Sequence, residues 1–145
     1  GRFLVAESGV LLTRVLYRKR SGGRELLITD AGMTDLLRPS HYDAYHRICA
    51  VVHAPAQGTF DVVGPICESG DFLAIDREMD DVEAGALLCV CTTGAYGYSM
   101  ASNYNARPRA AEVMIDGDRW AIITARETYE QLVSRETITP QWRTT

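Results

Sequence analysis

Several classes of protein are excluded by features that this sequence lacks. No apolar run approaches the roughly 20 residues that a membrane-spanning helix needs, and no basic start with an apolar centre marks a secretory signal peptide. The 145-residue chain has a net charge of −4, so its composition offers no basic face for nucleic acid. We therefore predict a protein that binds neither a membrane nor nucleic acid.

The four cysteines lack the spacings that are typical of zinc sites. They occupy positions 49, 67, 89 and 91, and none belongs to a C-x-x-C pair. Cys89 and Cys91 would point to the same face of a strand, and we interpret them as core thiols rather than metal ligands. Free thiols suit a reducing compartment, so we expect a cytoplasmic protein without a metal site.

The segments that are present indicate a mostly β domain. The chain is 46% hydrophobic and 23% charged, as ordinary globular proteins are, and its length suits one domain. Stretches rich in β-branched and aliphatic residues alternate with turn signals such as Asp116-Gly117. Many short strands of this kind predict an all-β barrel or sandwich. The predicted strands cover residues 10–20, 25–32, 47–54, 58–65, 86–93, 110–117 and 119–125.

Three short segments are predicted to be helical. Residues 3–9 form a short apolar stretch that we expect to end at Gly9 as a C-cap. Residues 38–46 place Pro39 at a plausible first helical position, and residues 126–136 carry an apolar stripe at helical spacing.

The stretch VVGPICESGDFLA, residues 62–74, places a thiol beside two carboxylates on a glycine-flanked bend between strands. Cys67, Glu68 and Asp71 lie within five positions of one another. A thiol can donate a proton, and a carboxylate can bind an ammonium group through a charge-assisted hydrogen bond. The residues alone leave open a catalytic bend and a structural turn with an incidental cysteine.

The segment TTGAYGYSMASNYNARPR, residues 92–109, has too few aliphatic residues to be plain core. Gly94 and Gly97 flank Tyr96, so the backbone there can bend sharply and hold the phenol outward. A phenol can hydrogen-bond a phosphate or stack on a ring. A surface loop with tyrosines packed for order is the alternative.

Arg38 and Tyr42 are four residues apart in the predicted helix 38–46. At this spacing both side chains project from one helix face, where a guanidinium and a phenol can bind a carboxylate together. The alternative is a solvated pair at the start of a helix.

Five segments in this order closely resemble the diaminopimelate decarboxylase family, pyridoxal-phosphate enzymes of the alanine-racemase-like class. The matching motifs are GR…LVAESG, DAGMTDLLRPSHYDAYH, VVGPICESGDFLA, GAYGYSMASNYNARPR and AEV. The resemblance implies an N-terminal (β/α)8 barrel that holds pyridoxal phosphate, followed by a C-terminal, Greek-key-like β-barrel domain with short helices. This chain resembles the C-terminal part alone, because Gly1-Arg2 matches the end of a family EPGR motif.

The resemblance also implies domain boundaries within the chain. Residues 1–8 would be the remnant of the last helix of the missing barrel, residues 9–135 the C-terminal β-barrel domain, and residues 136–145 a tail. The family forms homodimers whose active site is shared, with the Cys-Glu bend donated to the partner subunit's cofactor. The bend would then leave its own core in order to complete a neighbouring pocket.

The roles of the family's site residues carry over to matching positions here. Cys67 matches the thiol that returns a proton to the substrate carbon after carbon dioxide leaves. Glu68 matches the residue that binds the distal ammonium of the substrate. Tyr96 matches the tyrosine that contacts cofactor phosphate and substrate. The positions that hold the substrate carboxylates are matched by Arg2, Arg38 and Tyr42.

The implied activity is conversion of meso-diaminopimelate to L-lysine and carbon dioxide, a step of lysine biosynthesis. Pyridoxal phosphate is held by a lysine, and the one lysine of this chain, Lys19, lies in the polar hairpin tip RKRSGG. We therefore expect the fragment alone to be inactive. A related basic amino-acid decarboxylase and a non-catalytic β-barrel dimerisation module remain as alternatives.

Overall fold

The structure is a computed structural model that describes residues 1–143. Strands dominate it, and three short helices and three 3₁₀ turns lie between them or at their ends. The strands are β1 (Leu11–Ser21), β2 (Arg24–Thr29), β3 (Ile48–Ala50), β4 (Gln57–Val63), β5 (Phe72–Asp80), β6 (Leu87–Val90), β7 (Glu112–Asp116) and β8 (Arg119–Thr124). The helices are α1 (Arg2–Val5), α2 (Arg38–Tyr42) and α3 (Tyr129–Val133), and the 3₁₀ turns are Ala6–Ser8, Tyr98–Met100 and Tyr104–Ala106. The last two residues of the predicted tail, 144 and 145, lie outside the described residues.

Six strands form one strongly curved sheet in the order β3-β6-β1-β2-β4-β5. Neighbouring strands are antiparallel except β2 and β4, which run parallel. The two edge strands, β3 and β5, contact each other, and Arg77 of β5 donates a 2.6 Å hydrogen bond to the His46 carbonyl just before β3. The sheet is therefore nearly closed, and the prediction of a mostly β, barrel-like fold is confirmed.

The core fills the inside of this sheet, and strand alternation decides which side chains enter it. In β1, Thr13 and Val15 are buried while Leu12 and Arg14 point outward, as the period of two requires. The buried apolar core residues come from all six strands, from the loop before α2 and from the loop between β5 and β6. They are Val15, Leu27, Leu36, Ile48, Phe60, Val62, Leu73, Ala74, Met79, Val82, Leu88 and Val90.

The predicted hairpins form where glycine allows a left-handed backbone. Gly22 and Gly23 have φ of 58° and 80° between β1 and β2, and Gly117 has φ of 62° between β7 and β8. Positive φ at such positions costs glycine little and other residues more. Both turns therefore follow from local sequence, as predicted.

Strand β5 is absent from the sequence-based prediction, and its backbone explains why. Asp76, in the middle of the strand, has φ of +54°, and the pairing of β4 with β5 shifts register at two points. A residue in the left-handed region rotates the side chains that follow it, so the apolar alternation is interrupted. The segment FLAIDREMD consequently shows no continuous period of two.

The N-terminal helix predicted over residues 3–9 differs in detail from the structure. It is divided into α1 and the Ala6–Ser8 turn, and Gly9 is extended, with φ of −132° and ψ of 149°, rather than a left-handed C-cap. A Cβ on Gly9 would lie 2.7 Å from the Gly94 Cα. Glycine is therefore required here by the close approach of two backbone segments and not by helix termination.

Strands β7 and β8 form a separate two-stranded hairpin outside the six-stranded sheet. Apolar side chains on it are widely exposed, including Ile115 at 74% and Trp120 at 69%. None of the helices in residues 1–143 is long and apolar enough to cross a membrane.

Candidate functional site

Arg38, Tyr42 and Tyr96 form a compact group at the start of α2, called here the arginine–tyrosine group. The Arg38 guanidinium carbon lies 5.5 Å from the ring centroid of Tyr42 and 5.5 Å from that of Tyr96. Both distances are within the range of cation–π attraction. Pro39, at the first turn of α2, fixes the helix start. The prediction that Arg38 and Tyr42 share one helix face is confirmed.

Tyr96 is held in this group by an unfavourable backbone conformation. Its φ is +65°, a region that costs a non-glycine residue about 1–3 kcal/mol and is most often found at functional sites. The neighbouring glycines permit it, because a Cβ on Gly94 would overlap the Val5 carbonyl and one on Gly97 would overlap the Thr93 carbonyl. The phenol remains 46% exposed, so it faces outward as predicted.

A positive region surrounds His46, which lies close behind the arginine–tyrosine group. Burial lowers the pKa of His46, and the charges of Arg38, Arg2 and Arg77 lower it further, while its hydrogen bond to the Cys91 carbonyl opposes this. The ring is therefore neutral near pH 7. Within residues 1–143, two buried nitrogens in this region, Arg38 Nε and His46 Nε2, have no hydrogen-bond partner.

Neither Arg2 nor Arg38 pairs with a carboxylate of residues 1–143. Five other arginines of the described residues form ion pairs, among them Arg109 with Glu127. Two uncompensated guanidiniums in one region favour binding of an anion, since a planar guanidinium binds carboxylate and phosphate in two-point geometry. The structure thus brings together three of the six residues predicted for the site, Arg38, Tyr42 and Tyr96, while the charges of Arg2 and Arg38 both act on His46.

The remaining two predicted residues, Cys67 and Glu68, lie on the surface of the bend between β4 and β5. Both side chains are exposed. The bend is short and tight, with hydrogen bonds from Glu68 N to the Ile66 carbonyl at 2.8 Å and from Asp71 N to the Glu68 carbonyl at 3.0 Å. The thiol and carboxylate are therefore presented to solvent on a rigid support. Residues 64–71 are called the Cys67 bend below.

Asp71, to which sequence reasoning gave no role, holds the Cys67 bend in place. Its buried carboxylate accepts 2.6 Å hydrogen bonds from the backbone N–H groups of Met33 and Ile66. Gly32 and Gly64 leave room for it, because a Cβ at either position would overlap its carboxylate. One side chain therefore joins the bend to the turn that precedes α2. The sequence shows only that Asp71 directly precedes an apolar segment. The burial of its carboxylate, on which its structural role depends, is seen only in the folded chain.

The Cys67 bend and the arginine–tyrosine group lie on the same side of the domain. A Cβ on Gly70 would lie 3.4 Å from Ser40 Oγ of α2, so the bend packs beside the helix. Within residues 1–143, however, neither Cys67 nor Glu68 forms a hydrogen bond or ion pair with Arg38, Tyr42 or Tyr96. In one copy of the chain, no hydrogen bond or ion pair among the described residues therefore joins the two parts of the site.

The other three cysteines lie on the outer face of β3 and β6. Leu88 and Val90 fill the core, while Cys49, Cys89 and Cys91 are partly exposed on the opposite face. The interpretation of Cys89 and Cys91 as core thiols is therefore wrong, because strand alternation places them outward. Burial, together with the neighbouring Cys91 and Cys49, raises the pKa of Cys89 to about 11, so this thiol is protonated at neutral pH.

Comparison with known proteins matches residues 3–94 to the family described as "Pyridoxal-dependent decarboxylase, C-terminal sheet domain". Diaminopimelate decarboxylase of Neisseria meningitidis serogroup A is 52% identical over 137 residues, which are 94% of this chain and 34% of the relative. Diaminopimelate decarboxylase of Aquifex aeolicus is 47% identical over 134 residues, which are 92% of this chain and 32% of that protein.

A solved structure extends the similarity to three dimensions. The crystal structure of diaminopimelate decarboxylase from M. jannaschii in complex with L-lysine matches with a TM-score of 0.93 at 40% identity. The match covers 97% of this chain and 32% of that one. The chain thus spans about a third of the length of the relatives that it matches.

Proposed function

Because the chain belongs to the family of pyridoxal-dependent decarboxylases, we propose that it forms the C-terminal domain of an enzyme that converts meso-diaminopimelate to L-lysine and carbon dioxide. The relatives that support this substrate are 47–52% identical to the chain over more than nine tenths of its length. One observation supports the proposal most strongly. Arg38, which forms no ion pair within residues 1–143, lies on the same side of the domain as the exposed bend that carries Cys67 and Glu68, and the charge of Arg2 acts on the same histidine as that of Arg38.

Arg2, Arg38 and Tyr42 bind the carboxylates of the substrate in this proposal. Their positive charge beside a neutral His46 favours an anion, and a diacid supplies two. The stacking of Arg38 between two phenol rings restricts its orientation, so little rotamer freedom is lost when a carboxylate binds.

Glu68 determines specificity for a substrate whose far end carries an ammonium group. Its carboxylate is exposed and, among the residues that the structure describes, accepts only a long 3.4 Å hydrogen bond from the Gly70 N–H. It is therefore available for a charge-assisted hydrogen bond. A substrate without that ammonium would leave the carboxylate desolvated and unpaired, which costs about 1–3 kcal/mol or more for a charged group.

Cys67 supplies the proton that replaces the lost carboxyl group on the substrate carbon. Its thiol is exposed on a bend that backbone hydrogen bonds hold in shape. General-acid catalysis of this kind requires the donor within hydrogen-bond reach of the reacting atom. Asp71 serves it as a positioning residue, because it fixes the bend from which the thiol projects.

The residues of this chain fit the periphery of a pyridoxal phosphate site. Tyr96, whose phenol is half exposed on a strained backbone, would hydrogen-bond the phosphate. Pyridoxal phosphate, when bound, accepts the electrons that remain when carbon dioxide leaves. The lysine that binds it must come from other polypeptide, because Lys19 is exposed on β1 in the hairpin tip.

We propose that this other polypeptide is an N-terminal (β/α)8 barrel, corresponding to the two thirds of the relatives that the chain does not match. Residues 1–8 would continue its last helix, residues 9–135 would form the C-terminal domain, and residues 136–145 a tail. Exposed apolar surface supports such a neighbour, since Phe3 and Leu4 are 97% and 80% exposed.

We also propose a homodimer in which the Cys67 bend completes the site of the partner subunit. The exposure of Cys67 and Glu68 supports this arrangement, since within residues 1–143 neither forms a hydrogen bond or ion pair with the arginine–tyrosine group. A shared site requires closed two-fold symmetry, in which each subunit gives the bend and receives it.

A chimera tests the function. The 145-residue chain replaces the matching C-terminal third of the Neisseria meningitidis enzyme, and carbon dioxide and lysine are measured with meso-diaminopimelate, ornithine and arginine as substrates. We expect turnover of meso-diaminopimelate alone, and none from the 145-residue chain by itself.

The Cys67→Ala chimera is the matched control and should lose turnover while it retains cofactor absorbance. A chimera that binds the cofactor but prefers ornithine or arginine would contradict the assigned substrate. A cofactor-loaded chimera without any decarboxylase activity would contradict the assignment as an enzyme domain.

A further inference from the structure

Three thiols meet on the outer face of the sheet, and none of them is among the residues assigned to the decarboxylase site. Cys49 of β3 lies directly opposite Cys89 of β6 in the antiparallel ladder, and Cys91 follows two residues later on the same face. All three Sγ atoms lie within 4.8 Å of one another. The alternation that sends Leu88 and Val90 into the core brings these three sulfurs together.

This spacing is close to that of sulfur atoms around one metal ion. In a tetrahedral site with sulfur–metal bonds of about 2.3 Å, neighbouring sulfurs lie about 3.8 Å apart. Cysteine side chains reach this spacing by small χ1 rotations, since the strands already set the backbone in register. A β-ladder that needs no rearrangement lowers the entropic cost of forming the site.

The ligand set selects the class of ion. No histidine or carboxylate shares the group, which consists of three cysteines, so ions that prefer oxygen, such as Mg²⁺ and Ca²⁺, are disfavoured. All three residues are partly exposed, which leaves a path for the ion to enter and a position open to solvent. The thiol protons would be released to solvent as the thiolates bind.

We propose that Cys49, Cys89 and Cys91 form a site for one thiophilic metal ion of the Zn²⁺ or Cd²⁺ class, with a fourth position open to solvent. This site is independent of the decarboxylase reaction and of the residues that serve it.

The ion would stabilise the edge of the sheet that β3 forms. β3 has only three residues, and its ladder with β6 joins Ile48, Cys49 and Ala50 to one neighbour. Cys91 is also bonded to the segment that enters β3, since its N–H donates to the Arg47 carbonyl at 2.8 Å. Metal binding would therefore stabilise β3 and the chain segment that links it to α2.

Cadmium titration of the reduced, metal-free 145-residue chain tests the site, followed by cadmium–thiolate absorption in the ultraviolet. We expect saturation at one ion per chain. Each of the variants Cys49→Ser, Cys89→Ser and Cys91→Ser should lower the affinity by at least about tenfold, because loss even of a residue that orients a ligand costs about 10–100-fold. Cys67→Ser, which removes the fourth and distant thiol, is the matched control and should leave the titration unchanged.

Zinc protection gives a second result on the unaltered chain, so the test does not depend on the folding of any variant. With Zn²⁺ present, alkylation followed by peptide mass analysis should spare Cys49, Cys89 and Cys91 and modify Cys67. Binding that survives Cys89→Ser, binding that is lost in Cys67→Ser, or alkylation of all four thiols at equal rates would overturn the proposal. Recovery of a Cys49–Cys89 disulfide in place of metal binding would also overturn it.

Discussion

Asp71 shows how one buried side chain sets the position of two exposed ones. Its carboxylate bonds to backbone groups on both the Cys67 bend and the turn before α2, so the thiol at position 67 has a fixed relation to the helix that carries Arg38. Cys67 and Glu68 are exposed, and Asp71, which positions them, is buried. Function at this scale depends on a polar group inside the fold.

Substitution of Asp71 by Asn should destabilise the chain. The amide keeps the size of the carboxylate but loses the charge-assisted hydrogen bonds with the Met33 and Ile66 N–H groups. We expect a decrease of about 1–3 kcal/mol in the free energy of unfolding, measured by urea denaturation. Glu68→Gln, on the exposed side of the same bend, should change this free energy by less than about 0.5 kcal/mol. Equal effects of the two variants would contradict the role of Asp71.

Glu68 should affect substrate binding instead. In the chimera with the Neisseria meningitidis barrel, Glu68→Gln should raise KM for meso-diaminopimelate by about 10–100-fold, since a hydrogen bond to a charged group contributes about 1.5–3 kcal/mol. Cofactor affinity should stay the same. Glu78→Gln, an equally conservative change at an exposed position of β5, should leave KM unaltered. A KM unaffected by Glu68→Gln would contradict the assignment of Glu68 to substrate binding.

At the residue scale the sequence motifs identified Arg38, Tyr42 and Tyr96, and the fold places these three side chains in one group. Sequence reasoning gave no role to Asp71 or His46, because their importance depends on burial and on neighbours distant in sequence. His46, for example, interacts with Cys91, 45 residues away. Such contacts cannot be derived from local patterns.

The elements differ in how strongly local sequence determines them. The two glycine hairpins and most strands lie within a few residues of their predicted positions, because turn chemistry and alternation are local properties. Strand β5 was missed, since the left-handed Asp76 interrupts its alternation. Gly9 was misinterpreted as a helix cap, because its close approach to Gly94 is a tertiary contact.

The carboxylate of Glu127 accepts hydrogen bonds at the base of the β7–β8 hairpin. Arg109 donates side-chain hydrogen bonds of 3.0 and 2.6 Å to Glu127, and its backbone N–H donates another of 2.8 Å. Asn103 adds a fourth at 2.6 Å. The Arg109 side chain, then these other donors, lower the pKa of Glu127 from 4.5 to about 2.

This pKa predicts the pH dependence of stability. Because the folded state holds Glu127 ionised more strongly than the unfolded state does, the stabilisation is complete above pH 4.5 and is lost as the pH falls toward about 2. Unfolding free energies measured across this range should fall less steeply for Glu127→Gln than for the unaltered chain. Glu136→Gln, at an exposed position near the end of the described residues, serves as the control. Parallel slopes for the unaltered chain and Glu127→Gln would contradict the assignment.

The same hairpin should contribute little to the core of the isolated chain. Val113 of β7 is 51% exposed, whereas Val62 of β4 is fully buried. Substitution of each valine by threonine adds the same hydroxyl at nearly constant shape. We expect Val62→Thr to lower the free energy of unfolding by about 1–3 kcal/mol and Val113→Thr to change it by less than about 0.5 kcal/mol. Similar losses in both variants would show that the hairpin is packed against the sheet.

The whole molecule has a buried core but also exposes large apolar side chains on its surface. The six-stranded sheet buries its interior on its own, while α1 and the β7–β8 hairpin expose large apolar side chains. The many short strands predicted the barrel-like class, but the parallel pairing of β2 with β4 and the contact of β3 with β5 are non-local. Local patterns do not determine such pairings.

The central claim is that the exposed Cys67 bend completes a catalytic site in the partner subunit. Subunit mixing in the chimeric enzyme tests it most directly. One inactive parent carries Cys67→Ala, and the other carries a substitution of the barrel lysine that binds the cofactor. If sites are shared, each heterodimer contains one site with both residues intact, so an equal mixture should recover about a quarter of the unaltered activity. Absence of activity in heterodimers that are proven to form would contradict the account.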